Sequence, residues 1–275
     1  MRIDAHQHFW RLERNDYGWL TPELTTLYQD FEPDDLTPLL SQHNIDGTVL
    51  VQAAPTIEET LFLLQLSDQY ECIKGVVGWV NFDDEDAPQH IAELAKHPKL
   101  VGIRPMIQDI EEIDWMLSPA FFKTLQSLSQ HQLVFDALVK PKHLQNLKHL
   151  IDQHPNLNVV INHGAKPNIK DDELDTWRND LSVFRDYSQV SCKLSGLVTE
   201  ADSDWKIEDL SPYIDTLFDV FGEKRILWGS DWPVSLLASS YTKWFDTVNL
   251  YLTQNSLSKT KVFGGNAVLV YNLQK

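Results

Sequence analysis

The chain has 275 residues, 43% of them hydrophobic, with Lys+Arg 23 against Asp+Glu 40 and a formal net charge of −17. That length and apolar share suit one large α/β core, while the negative field excludes a binder of nucleic acid or anionic membrane driven by charge. The cysteines, Cys72 and Cys192, lie in apolar contexts without metal-type spacing, which argues for reduced thiols and against a disulfide framework.

No basic region followed by an apolar stretch stands near Met1, so no signal peptide is expected. No uncharged apolar run approaches membrane-spanning length, and a cytoplasmic location is expected. The first segment, "RIDAH" (2–6), runs into "QHFW", and His6 and His8 at period two share one face if this is a strand. Seven more β-rich segments follow: "GTVLVQA" (47–53), "GVVGWVN" (75–81), "LVGIR" (100–104), "LVFDAL" (133–138), "NVVINH" (158–163), "QVSCKLS" (189–195) and "RILWGSD" (225–231). Between them, stretches such as 56–71, 119–131 and 142–154 carry apolar residues at helical spacing.

Such alternation predicts parallel strands joined by helical crossovers. Eight units match a (β/α)8 TIM barrel, whose reactive groups gather where the strands end. A doubly wound open sheet is the competing architecture, but no Gly-rich dinucleotide turn follows the first strand. With no low-complexity tract or linker, residues 1–275 are expected to form one domain. The longest connection, 9–33, is unusually aromatic, and its Trp10, Tyr17 and Trp19 are candidates to wall a pocket or plug the rim.

The C-terminal ends of these strands carry His6, His8, Gln52, Asn81, Arg104, Asp136, His163, Lys193 and Asp231. In a barrel they converge on one cavity. The His6/His8 pair has few structural uses on an inward face. Asp231 in "WGSDWP" follows an apolar strand and needs partners if buried, or else caps the turn before Pro233. Arg104, halted by Pro105, can present a guanidinium to a carboxylate or an oxyanion. Mutual pairing of Asp136 with Lys193 ranks above catalysis for both. The remaining histidines, His43, His90, His97, His131, His143, His149 and His154, fall on helices or their ends, where a solvated role is expected. "FGGN" (263–266) is a weak phosphate-turn match, and Asn266 is better read as the side-chain cap of the last helix.

The pieces "DAHQHFW", "YGWL", "VGIR", "NHGAKP", "CKLSGL", "FGEKRILWGSDWPV" and "FGGNAVLVYNL" resemble, in order and from end to end, the amidohydrolase superfamily in its amidohydrolase 2 branch. More narrowly they resemble the sugar lactonases that include fuconolactonase and rhamnonolactonase, related to pyrone dicarboxylate lactonase. The resemblance implies a distorted (β/α)8 barrel and lactone hydrolysis, with His6, His8, His163 and Asp231 on the motif's polar positions. Arg104 stands where binuclear members have a bridging Lys or Glu, and Asp136 where they have another His, which speaks against a two-metal centre. The branch holds metal-using and metal-free lactonases, so one divalent ion, zinc or similar, on His6, His8, His163 and Asp231 and a metal-independent reaction both stay open.

Lactone opening needs a base for water, a cradle for the oxyanion and a proton for the leaving alkoxide. Asp231 is the expected base, with His6, His8, His163 and Arg104 around the carbonyl oxygen. Trp10 and Trp232 suit a sugar face, and Gln52 and Asn81 suit its hydroxyls. Arg104 could equally hold a carboxylate, making the substrate a carboxylated lactone. A metal-dependent decarboxylase of an aromatic or unsaturated acid is the rival enzyme, and a non-catalytic sugar-acid binder the rival of another class. A small-molecule substrate is the expected partner, with neither nucleic acid nor membrane, and a homo-oligomer is compatible with the sequence.

Overall fold

The computed structural model describes residues 1–273. Its eight parallel strands are β1 (Ile3–Gln7), β2 (Gly47–Val51), β3 (Ile73–Gly78), β4 (Leu100–Ile103), β5 (Val134–Ala137), β6 (Val159–Ile161), β7 (Val190–Leu194) and β8 (Ile226–Trp228). They form one sheet in the order β1-β2-β3-β4-β5-β6-β7-β8. The segment after β8 brings the ends together: the Asp231 amide donates to the His6 carbonyl at 2.8 Å and the His8 amide to the Trp232 carbonyl at 2.7 Å. The result is a nearly closed (β/α)8 barrel. The third strand begins earlier than the sequence predicts, at Ile73, and ends at Gly78, because the Trp79 amide donates to Thr60 Oγ1 instead of to a neighbouring strand.

Helices α1 (Pro33–Gln42), α2 (Ile57–Gln69), α3 (Ala87–Leu94), α4 (Pro119–Gln130), α5 (Leu144–Gln153), α6 (Leu174–Ser182), α7 (Ile207–Phe221) and α8 (Tyr241–Gln254) follow the strands in turn. Their starts are written in the sequence: the Thr56, Ser118 and Ser240 hydroxyls cap α2, α4 and α8 by accepting from the amide three residues on. A short α9 (Asn266–Val270) follows. Asn266 is its first residue, not its cap; its Nδ2 donates to the Glu223 and Ile226 carbonyls, tying α9 to the start of β8.

The core has two parts. The larger lies between sheet and helices, as Leu50, Val76, Phe135, Ile161 and Trp228 show. The smaller fills the barrel: Ile3, Ala5, Val49, Val51, Val77, Val134, Val160 and Leu227 meet Ala267, Tyr271 and Leu273 from the last segment. With that end packed, the polar strand ends open on the opposite side. No helix among the described residues is long and apolar enough to cross a membrane.

Candidate active site

Strict alternation along β1 would put His6 and His8 on the face opposite Ile3 and Ala5, which point into the barrel. The pairing of β1 with β2 shifts, from Asp4 with Thr48 to Gln7 with Leu50, so β1 has one extra residue there. This bulge turns both histidines inward, His8 onto the cavity wall and His6 just behind it. Gln7 consequently faces out and donates to Thr48 Oγ1 at 3.0 Å. Asp4 secures the arrangement, its Oδ1 accepting from the Ser230 amide at 2.8 Å and the His6 amide at 3.2 Å.

On β6, Val160 points inward and so does Asn162; period two would then send His163 away. His163 instead takes a left-handed conformation (φ 53°, ψ 36°), and the turn continues left-handed through Gly164, Ala165 and Lys166. Asp231 is also left-handed, with φ 56°. Such conformations cost of order 1–3 kcal/mol for residues other than glycine, and they concentrate at sites.

Around Asp231 Oδ1 stand His8 Nε2 at 3.4 Å, His6 Nε2 at 3.6 Å and His163 Nε2 at 3.8 Å. His6 and His8 bring their Nε2 atoms to 3.1 Å of one another. His8 Nδ1 lies 2.8 Å from the Val51 carbonyl and must be the protonated nitrogen, which leaves an Nε2 lone pair facing the carboxylate. His163 Nδ1 pairs with Ser195 Oγ at 2.9 Å. All four side chains are almost wholly buried. Burial pushes His163 down to about 3 and His6 well below its ordinary value, with the Lys193 charge adding for His6; burial also lowers His8 against the pull of Asp231. Burial works to raise the Asp231 carboxyl, but the neighbouring His163 and His8 outweigh it and the net shift is downward. Neutral imidazoles therefore surround an ionised carboxylate.

Lone pairs converging on a carboxylate form a cation-binding arrangement. His6, His163 and Asp231 each offer a donor atom, all within 4.8 Å of one another. Their spacings approach the edge of a tetrahedron with ligands at about 2.0–2.2 Å, roughly 3.3–3.6 Å. The donor set, imidazole with one carboxylate, suits zinc. His8, close to His6 and Asp231, lies beside this trio.

Arg104 is buried, and its fork is largely engaged: Nε donates to Gln52 Oε1 at 3.0 Å, and Nη2 to the same atom at 2.6 Å and to the Gln52 carbonyl. Its Nη1 remains, 3.4 Å from His6 Nε2 and 3.5 Å from Asn162 Oδ1. Asp136 and Lys193 pair at 2.5 Å, both fully buried, with Asn162 and Tyr271 also donating to the carboxylate. They lie beneath the cavity and do not line it.

The cavity itself measures about 220 Å³; His8, Arg104, His163, Lys166 and Asp231 line it, with Trp19 among the apolar groups. Four residues expected to touch substrate lie elsewhere. Gln52 is spent on Arg104 and the Ala54 carbonyl. Exposed Asn81 accepts from the Asp83 amide at 3.1 Å in a loop turn. Trp10 and Trp232 are buried against Phe31, behind the cavity wall. Trp19 takes the wall position, its indole N–H held by the Ala53 carbonyl at 2.8 Å. Lys166, paired with Glu200 at 2.8 Å, and Asn162 escape a reading by strand ends: one ends the left-handed turn, the other stands next to the histidine that drew attention. Of the seven helix histidines, His43 and His143 are buried rather than solvated; His143 Nδ1 accepts from the Lys140 amide.

Residues 3–273 match the Amidohydrolase family. An L-fucono-1,5-lactonase of Burkholderia ambifaria is 40% identical over 281 residues, spanning 100% of this chain and 96% of the relative. Another L-fucono-1,5-lactonase, of Burkholderia multivorans, is 33% identical over 288 residues, spanning 99% and 96%. A crystal structure of an amidohydrolase from Burkholderia multivorans with bound zinc superposes with a TM-score of 0.93 at 33% identity, over 100% of both chains.

Proposed function

The chain belongs to the amidohydrolase family, and from that premise we propose that it is a lactone hydrolase opening the ring of a sugar-acid lactone, with L-fucono-1,5-lactone as the lead substrate. The observation that carries the chemistry is the Asp231 carboxylate oxygen facing three imidazole nitrogens at 3.4–3.8 Å in a cavity sized for one small ring.

In the proposed reaction Asp231 accepts a proton from the attacking water, whose oxygen joins the lactone carbonyl carbon. Arg104 Nη1, the part of the fork not bound to Gln52, steadies the oxygen that becomes negative. The bond from carbonyl carbon to ring oxygen then breaks, and Asp231 returns the proton to the departing alkoxide. His6, His163 and Asp231 would hold a divalent ion, zinc or similar, which when bound supplies Lewis-acid polarisation of oxygen in the cavity. Trp19 gives the sugar ring a flat apolar wall, and Lys166 adds a positive charge for the carboxylate formed.

Two alternatives lose ground here. A carboxylated lactone calls for a free guanidinium fork, and Arg104 has only one nitrogen to spare. A decarboxylase calls for a further histidine, and among the described residues only His8 and His163 line the cavity, with His6 just behind. The charge of −17 argues against nucleic acid as a partner. One barrel over residues 1–275, working in the cytoplasm, completes the reading. The test is acid release from aldono-1,5-lactones of both hands in a pH-stat, with and without chelator. Opening of L-fucono-1,5-lactone is expected; inertness toward every lactone, with carbon dioxide released from a dihydroxybenzoate, would overturn the proposal.

A further inference from the structure

Next to the reacting cavity lies a larger one, about 510 Å³ against about 220 Å³. The two share Trp19, Met106 and Asp109 as a common wall. The second is formed by the loops that leave β2, β3 and β4 and by the connection after β1. Three half-buried indoles, Trp19, Trp79 and Trp115, give it flat apolar surfaces, and Asp16, Asp83 and Asp109 give it acceptors. Among the described residues no Lys or Arg lines it.

Asp16 is engaged within the wall. Its Oδ2 accepts from Arg14 at 2.5 Å and Thr56 Oγ1 at 3.0 Å, and its Oδ1 is buried. Asp83 and Asp109 are exposed and are the carboxylates that a ligand hydroxyl can reach. A purely apolar ligand offers these two carboxylates no donor, and an anion is repelled by them. What combines an apolar C–H face for an indole with a rim of hydroxyl donors is a pyranose.

We propose that this second cavity is a subsite for a neutral sugar ring, so that the enzyme opens aldono-1,5-lactones carrying a further glycosyl group. The inference rests on the lactonase reading and extends its substrate class. The bonds made and broken are those given above; the glycosidic bond stays intact, and the added ring contributes binding energy remote from the reacting carbon.

The test uses L-fucono-1,5-lactone and the three 1,5-lactones obtained by oxidising the reducing end of galactosyl-fucose disaccharides linked at O2, O3 or O4. At least one glycosylated lactone is expected to be opened with kcat/KM about tenfold above the plain lactone. Trp79→Ala removes an indole face. Gly18→Leu adds bulk at a residue lining the cavity, where a Cβ meets nothing within 4 Å. Each variant is expected to erase the tenfold advantage while leaving the plain lactone unchanged. If the plain lactone is opened but none of the glycosylated ones is favoured, or if the variants slow both alike, the second cavity is not a sugar subsite. If the wild type opens none of the four but opens another aldono-1,5-lactone, the subsite alone is overturned; if it opens no aldonolactone, the lactonase reading has failed and the subsite falls with it.

Discussion

At Asp231 one carboxylate oxygen faces three imidazole nitrogens, so an amide in its place changes charge and basicity while keeping shape. Asn also adopts the left-handed backbone that Asp231 occupies at φ 56° about as readily as Asp does. Asp231→Asn is therefore expected to fold normally, with an unaltered circular dichroism spectrum, and to lose turnover by about 10³-fold or more; near wild-type acid release in a pH-stat would remove Asp231 from the proton transfer. Arg104 makes a different demand, because three of its contacts run through the planar fork to Gln52 and only Nη1 meets the cavity. Lysine keeps the charge but cannot serve both sides at once. Arg104→Lys is expected to lower kcat/KM by about 10²–10³-fold, the range for loss of one oxyanion donor. Unchanged kinetics would leave Arg104 as a structural tie between the loops after β2 and β4.

The order of strands and helices was legible because hydrophobic runs and Ser or Thr caps are local signals, and eight of each in alternation leave few architectures. The residues meeting at Asp231 were legible for the same reason, since polar groups ending apolar strands are conspicuous. What local patterns could not carry was the bulge in β1 and the left-handed turn at His163, both fixed by tertiary contacts. Nor could they separate a side chain reaching the cavity from one spent on holding it, which is why Gln52 and Trp10 were expected in the lining and Trp19 and Lys166 were harder to place. Glu59 illustrates that limit and yields a prediction. "TIEE" reads as a capping box, yet the Glu59 carboxylate turns back to accept from the Ala53 and Ala54 amides, fixing the loop whose Gln52 grips Arg104. Burial drives Glu59 from 4.5 up to about 8, against the opposing pull of those amides. Between pH 4.5 and 8 the folded protein keeps a proton that the unfolded chain has released, so stability falls as pH rises through that window, by up to about 1.4 kcal/mol per pH unit. Urea unfolding at pH 5, 6.5 and 8 should show a steeper decline for wild type than for Glu59→Gln, which cannot ionise. Parallel declines would show that the proton binds elsewhere.

For the molecule as a whole, a cation held at the strand ends would couple three segments far apart in sequence: His6 on β1, His163 after β6, and Asp231 where the chain returns from β8 to meet β1. An ion that binds the folded chain and not the unfolded one stabilises by about 2.7 kcal/mol at a hundred times its dissociation constant. For a chain of this size that amounts to roughly 5–10 °C in Tm. Charge alone gives any divalent ion some hold on a molecule with a net charge of −17, so zinc must be compared with calcium, which prefers oxygen ligands to imidazole. Chelator-treated protein is expected to gain several degrees with zinc and little with calcium, and His163→Ala should lose most of the zinc increment. Because burial keeps the three imidazoles neutral, protons compete weakly for them and the zinc increment should persist from pH 8 down to about 6. Equal increments from both ions, or an increment that survives His163→Ala, would move the effect to the acidic surface and leave the barrel closed by its hydrogen bonds alone.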